Sequence, residues 1–237
     1  MGLVNVCEAS VDVGVRRLVQ ASSGGVLYGE SELPADEDQP VAPISPYGIA
    51  KWAGEQYIQY FTRHSGMTAV CLRYSNVYGP RQNPEGEAGV VAIHFDRMLR
   101  GESPVIYGDG LQTRDFVFVD DVARANLLAL TATLVDSFVA INIGTSDATT
   151  IQTVEQTIRQ QVTEKALCHV PPTVWLDERP GELRSNCVAI ERAGQMLHWK
   201  PLVNFDEGIA RTTQWQVRSS ARRSGRAADW AMAEAAS

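Results

Sequence analysis

Residues 45–74 read SPYGIAKWAGEQYIQYFTRHSGMTAVCLRY. The three prolines of residues 36–46 make the preceding stretch a loop, because each removes a backbone donor and disfavours helix before it. From Tyr47 to about Arg63 the sequence indicates a helix, and residues 68–74 are apolar enough for a buried strand. A second apolar run at residues 18–21 predicts a strand upstream. Strand, helix and strand in this order are typical of a parallel sheet covered by helices.

The rest of the chain continues the same alternation. A helix is expected over residues 3–13, and Asp120-Asp121 is a plausible N-cap for a helix over residues 122–132, since a carboxylate accepts the free N–H groups of a first turn. Thr149 or Thr150 is expected to cap a later helix. These patterns predict an α/β fold with further helices over residues 90–100, 150–162, 191–197 and 205–215 and strands over residues 105–107, 115–119 and 138–143.

Composition excludes several classes of protein. A formal net charge of -7 argues against a nucleic-acid binder, which needs a basic face to displace counterions. No apolar run is long enough for a membrane span, and residues 1–8 do not resemble a signal peptide. The cysteines are scattered without the spacing of metal ligands, so we expect reduced core thiols, no metal site and a cytoplasmic protein.

The clearest chemical signal is the pair Tyr47 and Lys51. Residues four apart share one face of a helix, so the ammonium can stabilise the phenolate and make the tyrosine a general base. The spacing alone is weak, because it is frequent by chance on solvated helices. Context strengthens it: one predicted strand ends in Ser22-Ser23, whose hydroxyls could hydrogen-bond a substrate oxygen, and another is followed by polar residues. Ligands of open α/β sheets bind beyond such strand ends.

Five segments in fixed order carry a family resemblance, which runs from about residue 3 to residue 215. They are ASSGGVLYG at residues 21–29, SPYGIAKWAGE at residues 45–55, RYSNVYGPR at residues 73–81, GDGLQTRDFVFVDD at residues 108–121 and RPGE at residues 179–182. Together they resemble NAD-dependent nucleotide-sugar epimerases and dehydratases of the extended short-chain dehydrogenase/reductase type, especially the UDP-glucose 4-epimerase group. The resemblance implies NAD as cofactor and a nucleotide-diphosphate sugar as substrate.

The resemblance also assigns catalytic and cofactor roles. Tyr47 would exchange the proton of the sugar 4-hydroxyl, and Lys51 would activate Tyr47 and hold the nicotinamide ribose. The position that is Ser or Thr in many relatives falls on Gly24, so Ser23 is the first choice and Ser22 the second for holding that hydroxyl. Tyr47, Lys51, Ser75 and Ser22 would border the cofactor.

Substrate contacts follow in the same way. Asn76 would contact the nucleotide diphosphate, and Arg114 and Arg179 would grip it, because a planar guanidinium suits phosphate oxygens. Glu182 would accept hydrogen bonds from the nucleotide ribose. Val90 and Tyr107 would border the base and ribose. Arg114 beside Asp115 could instead be a surface ion pair, and Arg179 a solvated loop charge.

Several hypotheses about the function stay open. The first is 4-epimerisation, and the alternatives are a dehydratase or decarboxylase of the same family, or a non-catalytic remnant that binds a sugar nucleotide. Dehydratase relatives tend to carry Thr-Asp-Glu where this chain has Gly24-Gly25-Val26. This difference makes the dehydratase the weaker hypothesis. In relatives the helix with the Tyr and Lys forms a homodimer interface, for which residues 3–13 and 52–61, including Trp52, Tyr60 and Phe61, are the candidates here.

The implied domain organisation has three parts. Residues 1–80 would form the C-terminal half of an NAD-binding Rossmann domain with the catalytic helix, residues 81–215 a mixed nucleotide-sugar-binding part with returning Rossmann elements, and residues 216–237 a flexible tail. The resemblance places Leu3 before the fifth sheet strand, and the sequence contains no strand, G-x-G-x-x-G turn and helix in succession. We therefore expect a partial Rossmann-like sheet and, for these 237 residues alone, weak NAD binding and no epimerisation.

Overall fold

The computed structural model describes residues 2–86, 89–166 and 168–223. The helices are α1 (Gly2–Asp12), α2 (Gly24–Leu27), α3 (Pro46–Ser65), α4 (Val90–Leu99), α5 (Val119–Thr131), α6 (Ile151–Ala166), α7 (Glu191–Leu197) and α8 (Phe205–Arg223). The strands are β1 (Arg17–Ser23), β2 (Thr68–Tyr74), β3 (Asn76–Tyr78), β4 (Val105–Tyr107), β5 (Thr113–Phe118), β6 (Phe138–Ile143), β7 (Ala148–Thr150) and β8 (Val174–Leu176). The predicted α/β alternation is confirmed.

The central feature is a parallel sheet with the order β1-β2-β6. Ser23, Tyr74 and Ile143 are in register, so the carboxyl ends of all three strands meet at one edge. All three correspond to strands that the sequence predicts, at residues 18–21, 68–74 and 138–143. The first of them is longer than expected and mostly half-buried rather than buried.

Alternate residues of β2 build a core on each face of this sheet. Val70 and Leu72 pack with residues of α5 and α7 and with the buried Trp199, which follows α7. Ala69 and Cys71 pack on the opposite face with Cys7 of α1 and Ile58 of α3. Successive side chains of a strand point to opposite faces, which is why an unbroken apolar strand can serve two layers of helices.

Local capping explains where two helices begin, and it corrects one prediction. The Ser45 hydroxyl accepts the Gly48 N–H at 3.1 Å at the start of α3, and the Thr150 hydroxyl accepts the Thr153 N–H at 3.0 Å at the start of α6. The N-cap predicted at residues 120–121 is wrong, because α5 begins directly after β5 with Phe118 as its N-cap. The Asp121 carboxylate instead accepts the backbone N–H of Leu202.

The chain forms two compact units, each built from several segments. The first unit comprises Met1–Val77, Gln112–Thr149 and Pro180–Leu202, and it contains the parallel sheet. The second comprises Tyr78–Leu111, Thr150–Arg179 and Val203–Ser237, and it contains the parallel pair of β4 with β8. The helix expected over residues 205–215 continues to Arg223, and residues 224–237 of the expected tail lie outside the described residues.

In the second unit, Tyr78 packs on α8 at a position where only glycine fits. The Tyr78 hydroxyl donates to the Phe205 carbonyl at 3.2 Å, and a Cβ on Gly208 would lie 1.9 Å from the tyrosine oxygen. We expect Gly208→Ala to lower the free energy of unfolding by about 1–3 kcal/mol, because the added methyl overpacks this contact. Urea unfolding measures the change.

The matched control is Gly194→Ala in α7, where, among the described residues outside the surrounding helix turn, the nearest atom to the added Cβ is the Trp199 carbonyl oxygen at 3.9 Å. That variant should be neutral or slightly stabilised, because alanine favours helix by up to about 1 kcal/mol over glycine. Equal losses in both variants would contradict the packing argument.

His94 on α4 is a buried histidine whose two ring nitrogens have no hydrogen-bond partner among the described residues. Burial lowers the pKa of His94 to about 4, and the Glu155 carboxylate opposes that shift only in part. The unfolded chain binds this proton near pH 6.5, so the native state loses stability as the pH falls from about 6.5 to 4. We expect this loss to reach about 3 kcal/mol.

Chemical denaturation of the wild type and of His94→Leu between pH 7 and pH 4 checks this expectation. The variant lacks the titrating group, so its stability should fall less steeply over the same range. The His94 contribution is refuted if the two proteins lose stability in parallel.

Candidate active site

The first turns of α3 present Tyr47 and Lys51 on one side of the helix. The Lys51 ammonium lies 5.6 Å from the centre of the Tyr47 ring, and it donates a hydrogen bond of 3.0 Å to the Ala21 carbonyl of β1. A concave pocket of about 310 Å³ opens beside them in the first unit. This Tyr47 pocket is lined by Leu3, Gln20, Ala21, Ser22, Tyr47, Ala50, Lys51 and Gly54.

The two candidate serines at the end of β1 differ in their surroundings. Ser22 lines the Tyr47 pocket and is buried, with 4% of its surface exposed. Ser23 is the next residue of the strand, so its side chain points to the opposite face, and it is not among the described residues that line the pocket. The structure therefore brings Ser22, the second choice from the sequence, next to Tyr47 and Lys51.

Gly24 lies at the position where the family resemblance leads one to expect Ser or Thr. A Cβ there would lie 2.8 Å from Cγ1 of Val188 and 3.0 Å from the Arg73 carbonyl oxygen. Such distances leave no room for a side chain. The surrounding packing thus accounts for glycine at this site.

Behind Ser22 lies a buried ion pair to which sequence reasoning assigned no role. The Ser22 hydroxyl donates to Glu55 Oε1 at 2.5 Å, while Arg73 donates to Oε1 at 3.0 Å and to Oε2 at 2.7 Å. The two charged side chains are 1% and 5% exposed. The sequence contains a signal that could have identified Glu55, because this residue lies four positions after Lys51 and continues the helix face of Tyr47 and Lys51.

The network extends from Arg73 across the sheet. Arg73 Nη1 donates to the Tyr28 hydroxyl at 2.9 Å, which donates to Asn142 Oδ1 at 2.7 Å. Burial raises the pKa of Tyr28 more than the arginine lowers it, so the phenol remains a neutral donor. Burial lowers the pKa of Arg73, but its bonds to Glu55 and Tyr28 outweigh this and leave the pKa raised.

Polar groups also surround residues 75–76, which follow the carboxyl end of β2. A Cβ on Gly25 would lie 3.1 Å from the amide nitrogen of Asn186 and 3.7 Å from the amide oxygen of Asn76. The Ser75 hydroxyl is buried without a hydrogen-bond partner among the described residues. A buried hydroxyl of this kind favours a ligand or water as its partner.

Arg114 and Glu182 contact each other in the first unit. Arg114 Nη2 lies 2.8 Å from Glu182 Oε1, and its Nη1 donates to the Thr113 carbonyl at 2.8 Å. Burial lowers the pKa of Arg114, and Glu182 opposes that change. The neighbouring Asp115 carboxylate is fully buried and accepts from Thr145 instead, so the surface pair of Arg114 with Asp115 is not formed.

Three of the predicted substrate contacts belong to the second unit. The Arg179 guanidinium carbon lies 3.8 Å from the centre of the Tyr107 ring, which is a cation–π stacking distance. Val90 is the first residue of α4 and is half-buried. The predicted site residues therefore divide between the units, with Tyr47, Lys51, Ser22, Ser23, Ser75, Asn76, Arg114 and Glu182 in the first.

Among the described residues, no helix is long and apolar enough to cross a membrane. The same part of the chain holds no group of three or more His, Cys, Asp or Glu side chains that could bind a metal ion.

A family comparison bears directly on this arrangement. Residues 1–144 match the NAD dependent epimerase/dehydratase family. This chain belongs to that family. The match covers the Tyr47 pocket and the Glu55–Arg73 pair, so the resemblance drawn from sequence motifs is confirmed.

Two proteins named UDP-glucose 4-epimerase are similar to most of this chain. A UDP-glucose 4-epimerase of Mycolicibacterium smegmatis is 38% identical over 218 residues, which are 91% of this chain and 67% of the relative. A solved UDP-glucose 4-epimerase of Thermotoga maritima with UDP-glucose is 40% identical, with a TM-score of 0.86 over 92% of this chain and 69% of that one. The chain thus spans about two thirds of the length of these relatives.

A third similarity concerns a protein with bound cofactor. A solved complex of the Thermus thermophilus UDP-glucose 4-epimerase with NAD is 38% identical, with a TM-score of 0.80 over 91% of this chain and 68% of that one. These superpositions confirm the expected Rossmann-like α/β fold.

Proposed function

We propose that the chain carries the proton-transfer and substrate-binding part of an NAD-dependent nucleotide-sugar 4-epimerase. The observation that carries the proposal is the Tyr47 pocket, where a phenol, an ammonium and a hydroxyl line one concave surface. Related proteins named UDP-glucose 4-epimerase have been solved with UDP-glucose and with NAD, which supports this substrate class and cofactor.

In this proposal Tyr47 moves the proton of the sugar 4-hydroxyl. Its side chain is 46% exposed, so the phenol oxygen is accessible to a ligand. The Lys51 ammonium lies beside the Tyr47 ring, and its bond to the Ala21 carbonyl holds it there. Tyrosine can then act alternately as base and acid on one substrate oxygen.

The residues present fit NAD on the nicotinamide side. NAD, when bound, accepts hydride from the sugar carbon and returns it. Lys51 has ammonium protons beyond the one it gives to Ala21, and these can hold ribose hydroxyls. The buried Ser75 hydroxyl lacks a partner among the described residues, so it can take one from the cofactor.

For the nucleotide-diphosphate sugar we propose the contacts implied by the family. In the first unit, Asn76 and Arg114 would hold the diphosphate and Glu182 the nucleotide ribose. In the second unit, Arg179 would bind the diphosphate, and Val90 and Tyr107 would border the base and ribose. The pair of Arg114 with Glu182 neutralises both groups before a ligand arrives, so substrate binding would have to exchange or share that contact. Arg179 stacked on Tyr107 presents a planar cation with its N–H groups at the edge.

Two alternatives make different demands on this site. A 4,6-dehydratase or decarboxylase of the same family would need further acid and base groups, and the segment Gly24-Gly25-Val26 offers none. A non-catalytic sugar-nucleotide-binding chain would keep the diphosphate contacts without turnover.

We also propose that the protein lies in the cytoplasm, because the cysteine spacing fits reduced thiols.

Conversion of UDP-galactose in the presence of NAD tests the function, measured with the chain joined to the N-terminal part of a related epimerase, because no turnover is expected from these 237 residues alone. We expect Tyr47→Phe to lower the rate by about 10²–10⁴-fold, because the variant removes the acid–base group without changing its ring. The matched control is Tyr57→Phe, which removes a phenol from the 51% exposed tyrosine on the same helix and should leave the rate unchanged.

Each alternative has its own signature in this assay. Consumption of dTDP-glucose with a 4-keto-6-deoxy product would support the dehydratase. Binding of UDP-sugars without any turnover would support the non-catalytic chain. Activity that survives Tyr47→Phe would contradict the role of the tyrosine.

We further propose a homodimer formed through α1 and α3. The outer face of α3 exposes Ile49, Tyr57 and Tyr60 at 56%, 51% and 58%, and α1 exposes Val6 at 50%. These side chains repeat at helical spacing and form an apolar stripe, which suits a helix–helix interface. Phe61, named from the sequence, packs instead against the core cluster of Cys7 and Ile58.

Sedimentation at micromolar concentration checks this assembly. The wild type should sediment as a dimer and Tyr60→Glu as a monomer, because a carboxylate in an apolar interface has no partner. Leu127→Glu on α5, at a side chain that is 67% exposed, is the control and should remain dimeric. A monomeric wild type would disprove the interface.

A further inference from the structure

The Ser22 hydroxyl has one proton, and the structure shows where that proton goes. Its oxygen lies 2.5 Å from Glu55 Oε1, the shortest contact of the buried network around Arg73. A hydroxyl can donate one hydrogen bond and accept two. Once Ser22 donates to Glu55, only its lone pairs remain for the Tyr47 pocket.

The direction of this bond follows from the partners of Glu55. Arg73 is always charged and has only donors, and it contacts both carboxylate oxygens, at 3.0 Å and 2.7 Å. The carboxylate is 1% exposed, so its charge needs this guanidinium. A carboxylate whose two oxygens both face this guanidinium acts as an acceptor only. Ser22 must therefore be the donor.

We propose that Glu55 is a positioning residue that fixes the Ser22 hydroxyl as a hydrogen-bond acceptor toward the Tyr47 pocket. The proposal rests on the proposed function, in which this pocket holds the reacting sugar oxygen and the cofactor. The sequence indicates only that a serine hydroxyl could hydrogen-bond a substrate oxygen, without the direction of that bond. Ser22 recognises N–H or O–H groups of a ligand, and the proton of the sugar oxygen comes from Tyr47 alone.

The same helix face makes the arrangement rigid. Lys51 bonds the Ala21 carbonyl, and Glu55, one turn later, bonds the Ser22 side chain. Two consecutive residues of β1 are thus held by two consecutive turns of α3. Any ligand in the pocket meets a fixed pattern, with an acceptor at Ser22 and a donor at Lys51.

The first test is independent of any activity. In proton NMR of serine-labelled protein, the Ser22 hydroxyl should give a downfield signal that exchanges slowly with water. Ser22→Ala should remove the signal, and Glu55→Gln should move it upfield or abolish it. Thr62→Ala, which removes a buried hydroxyl bonded within α3, should leave it in place. A Ser22 signal that exchanges like that of an exposed serine, or that ignores Glu55→Gln, would overturn the proposal.

The second test separates binding from chemistry in the epimerase assay. A lost acceptor weakens ligand binding by roughly tenfold, so Ser22→Ala should raise KM by about that factor with kcat within about threefold. Ser22→Thr, which keeps the hydroxyl, should restore KM. A fall in kcat of about 10²-fold or more, the effect of removing a donor to a developing charge, would refute the acceptor role.

The two tests also distinguish two kinds of failure. If the chain joined to the N-terminal part of a related epimerase shows no turnover, the proposed function fails, while the NMR signal still decides the direction of the Ser22 bond. If turnover depends on Tyr47 but the Ser22 proton is free, the epimerase assignment stands and the role of Glu55 is wrong.

Discussion

The buried ion pair of Glu55 with Arg73 is the constraint on which the first unit depends. Two charges removed from water are tolerated only when nearly every donor and acceptor around them is satisfied. Here that requirement draws in β1 through Ser22, β2 through Arg73, β6 through Asn142 and the segment after α2 through Tyr28. One polar network therefore joins all three strands of the parallel sheet to α3.

This constraint explains how the Tyr47 pocket keeps its geometry. α3 is long and its outer face is exposed, while Ile58 and Phe61 pack into the core. The directional bond from Glu55 to β1 adds a constraint on rotation and sliding of the helix, because a shift of one residue would break it. The first turns of the helix, with Tyr47 and Lys51, are then presented at the end of β1. The positions of Tyr47 and Lys51 in the pocket therefore depend on the buried ion pair of Glu55 with Arg73.

Much of the fold and part of the site could be predicted from the sequence. Apolar runs identify β1, β2 and β6 because buried parallel strands need apolar side chains on both faces. The spacing of Tyr47 and Lys51 predicts a shared helix face because helical periodicity is local. The sequence ranks Ser23 before Ser22, but which of the two lines the pocket depends on which face of β1 meets α3. The same limit applies to the contact of Arg114 with Glu182, which are far apart in the chain.

The sequence by itself determined the order of strands and helices, the motif order that places the chain in its family, and the residue types available for proton transfer. These follow from local patterns, which the chain carries wherever it folds. Only the tertiary structure decided which groups face one another: that Ser22 donates a hydrogen bond to Glu55, that Gly24 has no room for a side chain, and that Asp121 binds Leu202 rather than capping its helix. Such pairings depend on long-range packing, and no local pattern encodes the distance between segments that meet only after folding.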